Sequence, residues 1–75
     1  MTDHRRELDE AAALNSLLSY VNTLERELDH GSSVVTTDDL HRVLDALEAL
    51  RPRLQNPRRQ RAADAAIERV ARRLA

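Results

Sequence analysis

Residues 11–24, AAALNSLLSYVNTL, carry no charge at any of fourteen positions, in a chain where 33% of residues are charged. Within and just beyond them, Leu14, Leu17, Val21, Leu24 and Leu28 recur at 3-4-3-4 spacing, with Leu18 widening the stripe. That period is a helical seam, the pattern that keeps apolar side chains against a partner helix over several turns. The helix around it is expected over about 3–29, with Thr2 as its N-cap and Gly31 where a left-handed C-terminal cap belongs. At 1.5 Å per residue it would be roughly 40 Å long.

A second seam follows the loop HGSSVVTT of residues 30–37. Leu40, Val43, Leu47, Leu50 and Leu54 repeat the 3-4-3-4 spacing with Leu44 beside them, each lying 26 positions after its counterpart in the first seam. The polar positions do not match, so the two segments read as similar amphipathic helices folded into a hairpin and not as a duplication. Thr36 or Thr37 would cap this helix, and Asp38 and Asp39 place negative charge in its first turn, where the helix dipole favours it. Pro52 lacks the amide that would bond back to Glu48, so the helix should stop or kink near Arg51. In QNP, residues 55–57, Asn56 is a cap and Pro57 a first helical residue. A third helix then runs to Leu74 with Ala63, Ile67, Val70 and Leu74 inward.

The expected fold is therefore all-α: an antiparallel helical hairpin plus a third helix, with helices over about 3–29, 38–51 and 57–74. Seventy-five residues beginning at Met1 read as one domain, 1–75, and as a complete small gene product. A dimer forming a helical bundle is the expected assembly. Domains of this size rarely draw more than about 3–5 kcal/mol from one core. The large apolar residues here are twelve Leu, five Val, one Ile, one Met and one Tyr, without Phe or Trp. Self-association is the usual remedy for so thin a core.

The opening stretch strengthens that expectation. On the face opposite the leucines lie Asn15, Ser19 and Asn22, flanked by Ser16 and Thr23. Exposed helix faces are normally Glu, Lys and Arg, which form helix well and stay hydrated. Asn, Ser and Thr compete for backbone hydrogen bonds and cost helix stability. They do tolerate burial against another helix, having no charge to desolvate. A solvated face that happens to lack charge is the plainer alternative. The candidate self-association surface is Leu14, Asn15, Leu17, Leu18, Ser19, Tyr20, Val21, Asn22, Leu24 and Leu28. Tyr20, the only aromatic residue, is either a rim residue or an interface anchor.

Charge is divided unevenly along the chain. Helix one holds seven acids against three arginines and helix three two acids against six, while the whole chain is −1. All twelve basic residues are arginine, an outcome expected of a GC-rich, bacterial coding sequence and equally of a need for permanently charged bidentate groups. Arg51, Arg53, Arg58, Arg59 and Arg61 gather around the start of helix three, where the dipole disfavours cations and would favour a bound anion. Pairing with the acidic helix one, a phosphate-bearing partner and an acidic protein surface all remain open for them. A helix-turn-helix over helices two and three would put Arg58, Arg59, Gln60 and Arg61 at base edges. Against it stand the long turn and a pI of about 6.3, far below a basic footprint.

Catalysis finds little support. One glycine precludes a phosphate-cradling loop, and without cysteine there is no thiol nucleophile, disulfide or thiolate metal site. His30, Asp38 and His41 are the only residues worth weighing as metal ligands, and exposed histidines are the simpler account; neither a cofactor nor a metal is expected. No apolar run approaches the roughly 20 residues that span a bilayer, and MTDHRRELDE is followed by no signal-peptide pattern. A cytoplasmic protein is expected. The run LHRVLDALEALRPRL, residues 40–54, with the arginine-rich helix after it, resembles the short dimerising helices that follow carrier domains in modular polyketide synthases. The resemblance covers less than half the chain and implies a self-associating helical element.

Taken together, these features point to a non-enzymatic protein-protein interaction module, a small adaptor, regulator or inhibitor that self-associates through helix one and contacts a second protein. A small nucleic-acid-binding regulator using the arginine cluster is the alternative.

Overall fold

The structure, a computed structural model, describes residues 2–31 and 33–75, with side chains from Asp9 onward. Three α-helices account for most of them: α1 over Thr2–Asp29, α2 over Thr37–Leu50 and α3 over Pro57–Leu74. A single 3-10 turn, Arg51–Arg53, joins α2 to the α3 connection. The described residues contain no strand.

The helix ends follow from local chemistry. Thr2, expected as a cap, is the first helical residue of α1, so the capping position lies outside the described residues. Beyond Asp29, Gly31 sits at φ +77° with its amide on the Leu28 carbonyl at 3.0 Å, a backbone that glycine adopts without strain. Thr36, not Thr37, caps α2. Its hydroxyl accepts from the Asp39 amide at 3.4 Å, and the Asp39 carboxylate accepts from the Thr36 amide at 3.0 Å, closing a capping box. Pro52 ends α2 one residue earlier than expected, at Leu50. The freed backbone tightens into the 3-10 turn, with Leu54 N–H donating to Arg51 O at 3.2 Å. Asn56 caps α3 through its side-chain oxygen, which accepts from the Arg58 amide at 2.9 Å, and Pro57 follows at the first position.

The core is one cluster drawn from all three α-helices and Leu54. Leu14, Val21 and Leu24 of α1 meet Leu40, Val43 and Leu47 of α2 and Ala63, Ala66 and Val70 of α3, and Leu54 seals the turn end. Both expected seams are thus turned inward. On α3 the centre of the face is Ala63, Ala66 and Val70, while Ile67 and Leu74 are only half-buried at its edge. The reason is steric: α3 packs on both other helices, and where two neighbours crowd one face, alanine lets the backbone come close.

Ion pairs set the register. Arg69 of α3 bonds Glu25 of α1, and one turn on, Arg73 reaches Glu25 and Asp29. Both series ascend together, so α1 and α3 run parallel. Twelve residues before Arg69 is Pro57, and twelve before Glu25 is Ala13, so α3 begins about level with Ala13. The first eleven or so residues of α1, roughly 16 Å of helix, therefore extend past α3. The 46 × 18 × 17 Å extents reflect this overhang.

Leu47 is fully buried at the centre of the cluster. Leu47→Ala should cost about 2–5 kcal/mol through lost burial and a residual cavity, which is comparable to the roughly 3–5 kcal/mol available to such a domain. Urea unfolding followed by circular dichroism should show a lost or barely cooperative transition. Thr36→Ala, which removes one cap, should lower stability by only about 1 kcal/mol.

Candidate association surface and arginine cluster

The uncharged stretch divides into two sides. Leu14, Val21 and Leu24 are covered inside the chain, so any contact with a second chain falls to the remaining residues. Leu17, Leu18 and Leu28 are half-buried against the core. Asn15, Ser16, Ser19, Asn22 and Thr23 are exposed, as are Ala12 and Ala13, and Tyr20 is 41% exposed. The helix here is kept uncharged on a side that its own bundle does not cover.

Two hydrogen bonds, one within α1 and one to α3, occupy part of that side. The Thr23 hydroxyl donates to the Ser19 carbonyl one turn back at 3.0 Å, the habit by which threonine weakens helical hydrogen bonding. The Asn22 side-chain oxygen accepts from Arg69 at 3.3 Å, which marks Asn22 as the edge facing α3. Asn15, two turns before Asn22, lies on nearly the same edge of the helix, Ser19 about 60° from Asn22, and Tyr20 toward the opposite edge.

The five arginines do not act as one group. Arg51 bonds Asp64 of α3 at 2.7 Å. Arg59 is half-buried and engaged in an interaction of its own. Arg53, Arg58 and Arg61 are exposed, and among the described residues none has an ion-pair partner within 4.0 Å. They lie on the 3-10 turn and in the first turns of α3, beside the uncharged part of α1.

The acidic complement on α1 is taken up elsewhere. Glu25, whose side chain is largely buried, receives Arg69 and, at 3.3 Å, Arg73; Asp29 takes the second Arg73 nitrogen at 3.0 Å. The Asp29 hydrogen bond, assisted by Glu25, raises the Arg73 guanidinium above its ordinary value despite some lost hydration. Reading the arginines as a cluster at the start of α3 missed this ladder at its end. The signal was present: Glu25 and Asp29 are four apart, as are Arg69 and Arg73, so two parallel helices can match both pairs at once.

No group of three or more His, Asp or Glu residues among the described ones is placed to hold a metal, and His30 and His41 are exposed. No helix among them is long and apolar enough to cross a membrane. Comparison with protein-family models, curated proteins and solved structures gives no match to this chain.

Because Glu25 serves two arginines from a sheltered position, Glu25→Ala should destabilise the fold by about 1 kcal/mol, a loss that shrinks in 1 M salt. The Arg72–Glu68 pair, 3.5 Å apart and 73% and 70% exposed, is its control. Glu68→Ala should change stability by less than about 0.5 kcal/mol in the same denaturation series.

Proposed function

We propose that the chain is a non-enzymatic helical interaction module that forms a homodimer through α1 and, in that form, occupies the surface of a second protein as an adaptor, regulator or inhibitor. One observation carries the reading: Asn15, Ser16, Ser19, Asn22 and Thr23 are exposed on α1 although each is a poor helix former there. A face meant for water gains nothing from that choice. A face meant for another helix gains neutrality, small size and freedom from desolvating charge. Tyr20 beside it supplies an amphipathic anchor. The proposal carries with it a cytoplasmic, bacterial setting and no cofactor.

A second reading, a small regulator that binds nucleic acid, is favoured by the three exposed arginines at the start of α3. Phosphate contacts would make binding fall steeply with salt. A gel-shift series against duplex DNA from low to physiological salt separates the two: the interaction-module reading expects no shift at low salt.

Sedimentation equilibrium at micromolar concentrations tests self-association directly. The chain should sediment as a dimer, and Ser19→Arg should give a monomer of unchanged helicity, since that side chain is exposed in the protomer. A wild-type chain that stays monomeric with full helicity would overturn the proposal.

A further inference from the structure

The interaction-module reading leaves the chemistry of the second partner open, and the outward side of α3 addresses that question. Val70 marks the buried side of this helix. At 3.6 residues per turn, Arg58, Arg61, Ala65, Glu68 and Arg72 all fall within about 60° of the direction opposite it. Each of them is exposed. This side faces away from both other helices and carries three arginines against one glutamate, in a chain whose formal charge is −1.

The charges at its two edges are already matched. Toward α1, Arg69 and Arg73 are bonded to Glu25 and Asp29, and toward α2, Asp64 is bonded to Arg51. On the outward side itself, Glu68 pairs with Arg72 at 3.5 Å. Arg58 and Arg61 have no ion-pair partner within 4.0 Å among the described residues. Both stand in the first turns of α3, where the dipole disfavours cations and a carboxylate would serve the helix better. No ion pair within the chain offsets that choice.

An acidic protein segment and a nucleic-acid backbone both carry the complementary sign, and Glu68 separates them. The row from Arg58 to Arg72 covers roughly 21 Å of straight helix, with Glu68 inside it. Phosphates recur about every 3.4 Å along the axis of a duplex strand. A backbone laid along the row therefore meets Glu68 with like charge. A protein segment sets its side chains one by one and can place a neutral or basic residue opposite Glu68. The pI of about 6.3 also falls well short of a nucleic-acid footprint.

We infer that the outward side of α3 docks an acidic segment of another protein, which sets carboxylates on Arg58 and Arg61 and spares Glu68. Guanidinium forks bind carboxylates in a bidentate manner, and the two arginines lie one turn apart, so paired acids at helical spacing meet both. This rests on the interaction-module reading and adds to it the chemistry of the second partner.

Titration of the full, isotope-labelled chain at physiological ionic strength tests the inference. The probe is an alanine-based helical peptide with glutamates one turn apart along one side. Amide resonances of Arg58, Arg61 and Ala65 should shift, and the same peptide with glutamine for glutamate should move none of them. Arg58→Glu with Arg61→Glu should weaken binding by at least about tenfold, since attraction becomes repulsion at both positions. Glutamate suits the start of a helix, so circular dichroism should show undiminished helicity. Glu68→Gln should tighten binding by about threefold, because this probe does not spare Glu68, and a folding defect cannot imitate a gain. Absent binding, shifts centred on another surface or equal binding of the glutamine peptide would overturn the inference. So would tighter binding of duplex DNA, or a loss of self-association in the doubly reversed variant without peptide, which would assign these arginines to a second copy. Sedimentation of the wild-type chain tests the dimer separately, so either reading can fail alone.

Discussion

The fold depends on how closely α3 can approach the other two helices. Ala63 and Ala66 are at 0% and 1% exposure, so the backbone of α3 lies nearly against its neighbours. That proximity buries Val21, Val43 and Leu47 from the third side. Without it, α1 and α2 would form a bare hairpin of aliphatic side chains, one side of each seam open to water. The arginine ladder of Arg69 and Arg73 on Glu25 and Asp29 fixes the register of this approach more than it stabilises it, since pairs whose arginines still reach solvent contribute only about 1 kcal/mol, even with Glu25 sheltered. Burial supplies the cohesion, and the charges decide which turn of α3 meets which turn of α1.

The same economy explains the tension along α1. A core of Leu, Val and Ala without Phe or Trp gives a protomer little to spare. Yet the longest helix uses Asn, Ser and Thr where Glu or Arg would support it better. Local preference and the fold agree almost everywhere else: the Thr36–Asp39 box, the Asn56–Pro57 start and the Gly31 end are each the choice that local chemistry favours. A single departure from local consistency is where a functional constraint is to be sought. The departure coincides with the side of α1 that α2 and α3 leave uncovered.

Much of the fold was legible in the sequence because periodicity and capping are short-range signals. The 3-4-3-4 leucines gave both seams, and Pro52, Asn56 and Pro57 placed the α2–α3 connection within a residue. What was illegible is what depends on two helices at once. Ala66 stands at the centre of the α3 face and Ile67 at its edge, because the face is shared between α1 and α2 and the small residue is needed where both crowd in. The ion pairs to α1 from the end of α3 come from Arg69 and Arg73, while Arg53, Arg58 and Arg61 upstream have none among the described residues, because the parallel register sets them level with the uncharged stretch of α1. Density of charge in sequence does not predict pairing when the complementary element is out of step. The candidate surface was legible as an oddity of composition, and the structure added which of its residues the protomer consumes: Leu14, Val21 and Leu24.

The central claim is that the uncharged side of α1 is shielded by a second chain, and the carboxamide and hydroxyl positions along it report this most directly. Solvent paramagnetic relaxation in nuclear magnetic resonance, read at the Asn15 and Ser19 positions against an exposed reference such as Asp45, measures their contact with water. Shielding of Asn15 and Ser19 that strengthens with protein concentration, while Asp45 stays fully relaxed, is the predicted result. Relaxation of all three to the same extent at every concentration would contradict the account.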